Sequence, residues 1–548
     1  MPIADPVAEL RGAIAEATAA LRDVDRAEAE AATLERPPRP EFGDYSTNAA
    51  MLLAPTLGRQ PREIAEQLAD ELTRGLSEGL DRVEVAGPGF LNLFLSDSWH
   101  RRAAATLIST GDDLGRSGGE DPAERILIEF VSANPTGPLT AAGGRHAAYG
   151  DSVARALELT GDAVEREYYL NDVGGQVERF ARSIAARMKG EPAPEDGYEG
   201  EYVAEVADRL AAEGVGPDDL DQLTRRGAEM MRDEAEATLR RFGVEFDTWF
   251  SERDLHLEGG AVERALSELR EGGRVYESEG ATWLRTTSFG DDKDRVLVRS
   301  EGEPTYYLAD IAYHRDKLER GADRLIDVLG ADHHGYVGRL KAGLEALGFD
   351  PDRLEIATMQ LVHVVEGGER AQMSKRRGEF VTLDELIADI GADAARFFML
   401  QRSHDTTVDL DLELARRQSN ENPVYYVQYA HARIASILRR AGEAAVAAAL
   451  EPEGEAETPL EPAERALTRR LLELHSEVEE TARRRAPHRL CAYAMATAAD
   501  FHAFYRDCQV VGAEGDGVEA ERIRLCVLTK RAIARTLRLL GISAPERM

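Results

Sequence analysis

The sequence predicts a multidomain α/β protein. A doubly wound parallel sheet forms its centre, with a small α+β domain before it and an all-α bundle after it. Three observations carry that prediction. The chain has 548 residues, more than one core fills, and hydrophobic residues make up 43% of them. From Arg125 onward, strand patterns alternate with helical ones, the order that builds parallel sheets. Beyond about residue 388 the apolar stripes keep helical spacing and no strand pattern stands out.

The elements follow in order. "PVAELRGAIAEATAALRD" and "PREIAEQLADELTRGL" have helical periodicity. Between them "RPPRPEFGDYSTNAAM" is a loop feeding a helix that Ser46 or Thr47 can cap. "VEVAGPGFLNLFLS" is a strand pair around a Gly-Pro-Gly turn, and "STGDDLGRSGGEDPAE" is a polar linker. Then come the strand "RILIEFVSAN", the helix "GRHAAYGDSVARALELTG" closed by Gly161, and the strand "AVEREYYLND". A charged helical insertion covers residues 177–250, and "ATWLRTTSFGDDKDRVLVRS" resembles a hairpin. "RLIDVLGADHHGY", "VGRLKAGLEALG" and "EIATMQLVHVVEG" continue as strand-turn, helix and strand. This is the grammar of a Rossmann-like domain. The rest, from "GADAARFFML" to "ERIRLCVLTKRAIARTLRLLG", is helical, broken by the acidic connector "EPEGEAETPLEP".

Bulk composition narrows the function classes. No apolar run approaches a membrane span, and the N-terminus lacks a signal-peptide pattern, so a cytoplasmic protein without membrane contact is expected. Cys491, Cys508 and Cys526 show no metal-ligand spacing, so no bound zinc or other protein-held metal is expected. The net charge of −34, from 67 basic and 101 acidic residues, weighs against a nucleic-acid binder taken alone. A local basic face on an acidic body remains compatible with it. The lysines are few: Lys189, Lys293, Lys317, Lys341, Lys375 and Lys530.

Four stretches carry chemistry. In "SANPTGPLTAAGGRHAAYGD" a strand ends at Asn134-Pro135-Thr136-Gly137-Pro138 and a helix begins, which gathers backbone N–H groups and a positive helix end where an anion can sit. An ordinary strand-turn-helix connection is the alternative. In "QMSKRRGEFVTLDELI" a basic loop with Met373, Ser374 and Lys375 can close over a polyphosphate, and Thr382 with Glu385 forms a capping box. In "EPTYYLADIAYHRDK" the spacing puts Tyr306, Asp310 and His314 on one helix face, a carboxylate beside a ring, as a guanidinium or ammonium group requires. In "GADHHGYVGRL", Asp332, His333 and His334 follow a strand at its ligand-facing end; neighbouring histidines on a regular element make a poor metal site.

At these residues the chain resembles the class I arginyl-tRNA synthetases over nearly its whole length. The resemblance rests on "EFVSANPTGPL", "YYLNDVGGQ", "PTYYLADIAYHRDK", "LGADHHGYVGRLKA", "QMSKRRGEFVTLDEL", "NPVYYVQYAHARI" and "LGISAPERM", in that order, with "PEFGDYSTNAA" and "GPGFLNLFL" near the start. It implies ATP-dependent activation of L-arginine, with Mg2+ accompanying ATP, and transfer to the 2′-hydroxyl of the terminal adenosine of tRNA(Arg). It also implies an N-terminal tRNA-contacting domain at 1–105, a catalytic domain at 120–388 and a helical anticodon-binding domain at 389–548. Carried over by position, Glu129, Ser132 and Asn134 hold the ammonium group and reacting end of arginine, and Tyr306 and Asp310 meet its guanidinium. Pro135, Gly137, Gly143, Asp332, His333, Met373, Ser374 and Lys375 line the ATP site, with Lys375 on the phosphates. Tyr425 and Tyr429, stacking on bases, and Arg484 and Arg485, on phosphates, are expected at the RNA surface, with Tyr426, Arg469 and Arg470 as further candidates. A monomer is expected.

Two departures stand out. Class I enzymes carry His-x-Gly-His at the helix start; here the stretch reads Thr140-Ala141-Ala142-Gly143, without either histidine. The basic loop begins with Gln372 where the family usually has lysine. Loss of one such phosphate donor ordinarily costs about a hundredfold or more in rate. In an active enzyme Thr140 supplies a hydroxyl and His146, one helical turn beyond Gly143 on a similar face, supplies a substitute donor. The alternatives are a catalytically inactive tRNA-binding or regulatory paralogue and an arginine-activating enzyme serving another pathway.

Overall fold

Helices Pro6–Arg22, Ala49–Leu57, Pro61–Leu76 and Asp97–Ser109 pack on a four-stranded antiparallel sheet near the N-terminus. The computed structural model describes residues 5–22, 33–37, 39–117, 122–370, 381–451 and 458–548. The expected strand pair is present as Leu80–Ala86 and Phe90–Leu95. Ser46 and Thr47 lie in strand Tyr45–Thr47, so the following helix takes Asn48 as its N-cap. Thr47 Oγ1 still accepts the Ala49 N–H at 3.3 Å.

The central sheet has five parallel strands: β1 Arg125–Glu129, β2 Ala163–Leu170, β3 Thr248–Ser251, β4 Arg324–Gly330 and β5 Leu354–Met359. Their order is β5-β4-β1-β2-β3. The chain winds outward from β1 in one direction and then returns to the other side, so the topological switch lies between β1 and β4. Ligands of such sheets bind outside the carboxyl ends of the strands at that point. Helix α1, Ala141–Leu159, follows β1 and presses closely on it: a Cβ at Gly150 would lie 2.2 Å from the Phe130 ring. Only a residue without a side chain lets helix and strand approach so far.

The insertion after β2 is three helices, Gly175–Lys189, Glu201–Ala212 and Leu220–Arg241, with a small core of their own including Phe180, Tyr202 and Met231. The hairpin-like piece is three-stranded: Ala281–Leu284 pairs with both Arg295–Val298 and Val275–Ser278. Helix α2, Tyr306–Glu319, leads into β4. After β5, strand Val362–Glu366 pairs in parallel with Val408–Asp411, a strand that the expected all-helical C-terminal region did not include. Its alternation of buried Val408 and Leu410 with exposed Asp409 and Asp411 spans only four residues, too few to stand out between helical patterns. Helix α3, Leu383–Leu400, begins with the expected Thr382–Glu385 capping box.

The remainder is helical: Pro423–Ala441, Glu443–Leu450, Pro462–Arg484, His488–Asp507 and Val518–Leu539. Cys491, Cys508 and Cys526 are buried and unpaired among its helices. Among the described residues no helix is long and apolar enough to cross a membrane.

Candidate active site

At the end of β1 the backbone enters a conformation that side-chain-bearing residues rarely adopt. Val131 has φ 71° and Ser132 φ 41°. Such geometry persists where surrounding bonds over-determine it. Here the Ser132 hydroxyl donates to Glu129 Oε1 at 2.8 Å and accepts the Tyr169 N–H at 3.1 Å. Ala133 exchanges two bonds with the Tyr168 hydroxyl, at 3.0 and 3.1 Å. Ser132, expected to touch arginine, therefore uses its hydroxyl to fix Glu129 and the turn. Asn134 is exposed and donates to Gln176 Oε1 at 2.8 Å.

The opposite wall is α2. Asp310 is one turn in from its N-terminus, and the Tyr336 hydroxyl donates to its Oδ2. Burial raises the Asp310 pKa against that hydrogen bond, and the nearby Glu129 and Glu252 carboxylates push it further up. The pocket is thus anionic and desolvated, suited to a cation able to give several parallel bonds. Tyr306 is 67% exposed and faces the turn after β2: a Cβ at Gly174 would lie 3.7 Å from its hydroxyl. His314 does not join this face. Its Nδ1 bonds the Asp310 carbonyl at 2.7 Å and its Nε2 bonds Asp327 at 2.6 Å. Burial lowers its pKa, Asp327 outweighs burial, and the net shift is upward; both ring nitrogens face acceptor oxygens.

The start of α1 is sparser in donors than the sequence implies. Thr140 is the N-cap and accepts the Gly143 N–H at 3.3 Å. The Gly144 N–H goes to the Thr140 carbonyl and the Ala141 N–H to the Val381 carbonyl, both at 3.0 Å. Ala142, exposed, keeps the first-turn N–H without an internal partner among the described residues. The Thr140 O–H also remains able to donate. Pro135 is buried, and the insertion braces this turn: the Tyr202 hydroxyl donates to the Thr136 carbonyl at 3.1 Å, close to Gly137. At Gly143 an added Cβ would meet nothing nearer than 3.9 Å. A Cβ is tolerated at this position of the missing motif histidine.

His146 lies half-buried on α1, within electrostatic reach of Asp332 and His333, and burial with the Arg145 charge pushes its pKa down to about 4. It is neutral at physiological pH. Arg145 is turned away and donates to the Gln360, Ser403 and Thr406 carbonyls at 2.7–2.9 Å. Asp332 and His333 sit exposed in the 3-10 turn Ala331–Tyr336 that ends β4, 3.6 Å apart. The basic loop, including Met373, Ser374 and Lys375, lies outside the described residues. The segment just after it is stitched to α1: Thr140 and Thr382 form an antiparallel bridge, and the Leu383 N–H donates to the Leu139 carbonyl at 2.8 Å.

Comparison with known proteins places this arrangement. Family models match in three stretches: the arginyl-tRNA synthetase N-terminal domain at residues 8–95, the class I (R) catalytic domain at 205–434 and the DALR anticodon-binding domain at 427–548. A solved Campylobacter jejuni chain assigned as an arginyl-tRNA synthetase is 33% identical, with TM-score 0.77, over 83% of this chain and 100% of that one. The chain belongs to the arginyl-tRNA synthetase family. The Thermus thermophilus arginyl-tRNA synthetase is similar at 25% identity and TM-score 0.76 over 98% of this chain and 99% of its own. The fold also extends to the Plasmodium falciparum arginyl-tRNA synthetase, at 15% identity and TM-score 0.76, with all of both chains covered.

The residues expected at the RNA surface separate. Tyr425 and Tyr429 stack with centroids 6.2 Å apart and stay partly exposed, while Tyr426 packs against His502. Arg484 is exposed beside Glu480. Arg485 is less available: its guanidinium forms a bidentate pair with Glu355 at 3.0 and 3.1 Å, and its carbonyl accepts the Tyr149 hydroxyl at 2.8 Å. Arg469 is buried against Asp44, just before strand Tyr45–Thr47, and Arg470 pairs with Glu473 on its own helix and with Asp500 on the next, so neither faces solvent freely. Sequence reasoning missed Tyr336, Glu252 and Lys317. Lys317 had one available signal, its rarity within a motif-bearing helix.

Proposed function

We propose that the two missing motif histidines are replaced by the Ala142 N–H, the Thr140 hydroxyl and neutral His146, in an enzyme that attaches L-arginine to tRNA. The arginine carboxylate attacks the α-phosphorus of ATP, pyrophosphate leaves, and the 2′-hydroxyl of the terminal adenosine then takes the arginyl group while AMP departs. Asp310, held by Tyr336, accepts two parallel bonds from the guanidinium; a lysine side chain cannot supply that fork. Glu129, at the end of β1, receives the α-ammonium. Tyr306 covers the pocket, and Lys375 meets the phosphates. Mg2+ arrives with ATP as substrate; among the described residues no group of three His, Cys, Asp or Glu side chains is placed to hold a metal ion.

The observation that carries this reading is the desolvated Asp310 carboxylate at the sheet's switch point, beside the strand-turn-helix built for an anion. Nothing in the comparisons favours a silent RNA reader or another pathway. The test is charging of tRNA(Arg) by purified protein with arginine and ATP, beside Lys375→Ala. Arginine-dependent charging that Lys375→Ala abolishes supports the assignment; tRNA binding without charging removes it.

A further inference from the structure

The Lys317 side chain is wholly buried, so it touches neither substrate nor solvent. Its Nζ donates to Glu129 Oε2 and to Asp327 Oδ1 at 3.0 Å, and lies 4.3 Å from the centroid of the Tyr313 ring. An ammonium has three N–H donors, and two carboxylates and a ring face engage all of them. Burial opposes the charge, but Asp327 and Glu129 outweigh it and the lysine pKa is raised. Lys317 is charged whenever the protein is folded near neutral pH.

The place of this cation matters more than its burial. Glu129 ends β1 at the switch point, with Oε1 fixed by Ser132 and Oε2 by Lys317. From Lys317 the chain of bonds passes to Asp327 on β4, then to His314, and then to the carbonyl of Asp310. One end of this buried strut is the Glu129 carboxylate and the other is the main-chain carbonyl of Asp310, the residue whose carboxylate Tyr336 holds.

We propose that Lys317 is a positioning residue for amino-acid selection: it orients Glu129 toward the α-ammonium of arginine and, through Asp327 and His314, fixes the separation of Glu129 from Asp310. The inference rests on the reading of Glu129 as the ammonium site. The strut lets the pocket test both cationic ends of the substrate at one spacing, with the carboxylates held in advance.

The test uses the full chain and two probes. Agmatine keeps the guanidinium and the ammonium; 5-guanidinopentanoate keeps the guanidinium and lacks the ammonium. Lys317→Met is expected to raise the KM for arginine and the inhibition constant of agmatine on the order of ten- to hundredfold, the range for losing a charged partner. The constant for 5-guanidinopentanoate and the KM for ATP stay unchanged. Lys317→Arg, which keeps the charge, is expected to recover part of the agmatine affinity and covers the case in which the methionine variant fails to fold. A parallel weakening of both probes, or a lowered Tm with both constants unchanged, overturns the proposal. Glu129→Gln separates it from the site reading: if agmatine binds that variant as well as wild type, Glu129 is not the ammonium site, whatever Lys317 does.

Discussion

The two halves of the site are built on opposite plans. On the amino-acid side Glu129, Ser132, Lys317, Asp327, His314, Asp310 and Tyr336 form one chain of bonds before substrate arrives. On the phosphate side most first-turn N–H groups of α1 are already engaged, and a Cβ at Gly143 would make only ordinary contacts. Telling a guanidinium from an ammonium requires a fixed geometry, and a desolvated carboxylate wanders unless it is held. A polyphosphate is recognised by charge and can recruit donors from a loop, so fewer fixed groups suffice on that side.

Mutation of the pre-bonded half should have the largest effect. Asp310→Asn keeps the shape and removes the charge, so the KM for arginine should rise about a hundred- to thousandfold, the cost of truncating one member of a buried charged pair. An unchanged KM in steady-state charging would break the contrast, because the better-ordered half would then be ornamental. On the sparse half, His146→Ala should lower kcat about a hundredfold, the usual loss for one phosphate donor. Gly143→His should restore much of it, since its Cβ makes only ordinary contacts, the nearest at 3.9 Å. Full activity in His146→Ala would assign phosphate stabilisation to Ala142, Thr140 and the loop alone.

Acid should separate the halves as well. Only ionised Asp310 attracts the guanidinium, and burial raises its pKa, so arginine affinity falls as pH drops through that raised value. The decline should begin above the pH at which an ordinary aspartate, pKa near ~3.9, titrates, and approach about tenfold per pH unit below it. His146, its pKa pushed down to about 4 by burial and the Arg145 charge, is neutral at physiological pH and lies on the phosphate side. Calorimetric titration of arginine against pH checks this, and Asp310→Asn should flatten the curve. The smallest contrast lies within α1. Gly150→Ala drives a Cβ into the Phe130 ring and should destabilise by about 1–3 kcal/mol, as overpacking does. Gly143→Ala places its Cβ in ordinary contact, the nearest atoms at 3.9 Å, and should gain about 0.5–1 kcal/mol from helix propensity. Chemical denaturation measures both.

Much of this was legible in the sequence because it is written in local patterns. Alternating strand and helix periods gave the doubly wound sheet, and Thr382 with Glu385 gave the start of α3. The spacing of Tyr306 and Asp310 placed them one turn apart on α2. Strand Val408–Asp411 escaped because it is four residues long and gains its meaning from pairing with Val362–Glu366. Arg485 reads as one more basic residue in "ARRRAPHR" until Glu355, far away in sequence, takes its guanidinium.

By itself, then, the chain determined which segments are helices and strands, that two histidines are missing, and which family the motifs resemble, since these depend on near neighbours and on residue identity. Only the tertiary structure decided that Asp310 is desolvated, that His146 is neutral, and that Lys317 bridges Glu129 to Asp327. Burial and ion pairing arise when distant segments enclose the same few ångströms of space, and no local pattern encodes which charges will meet there.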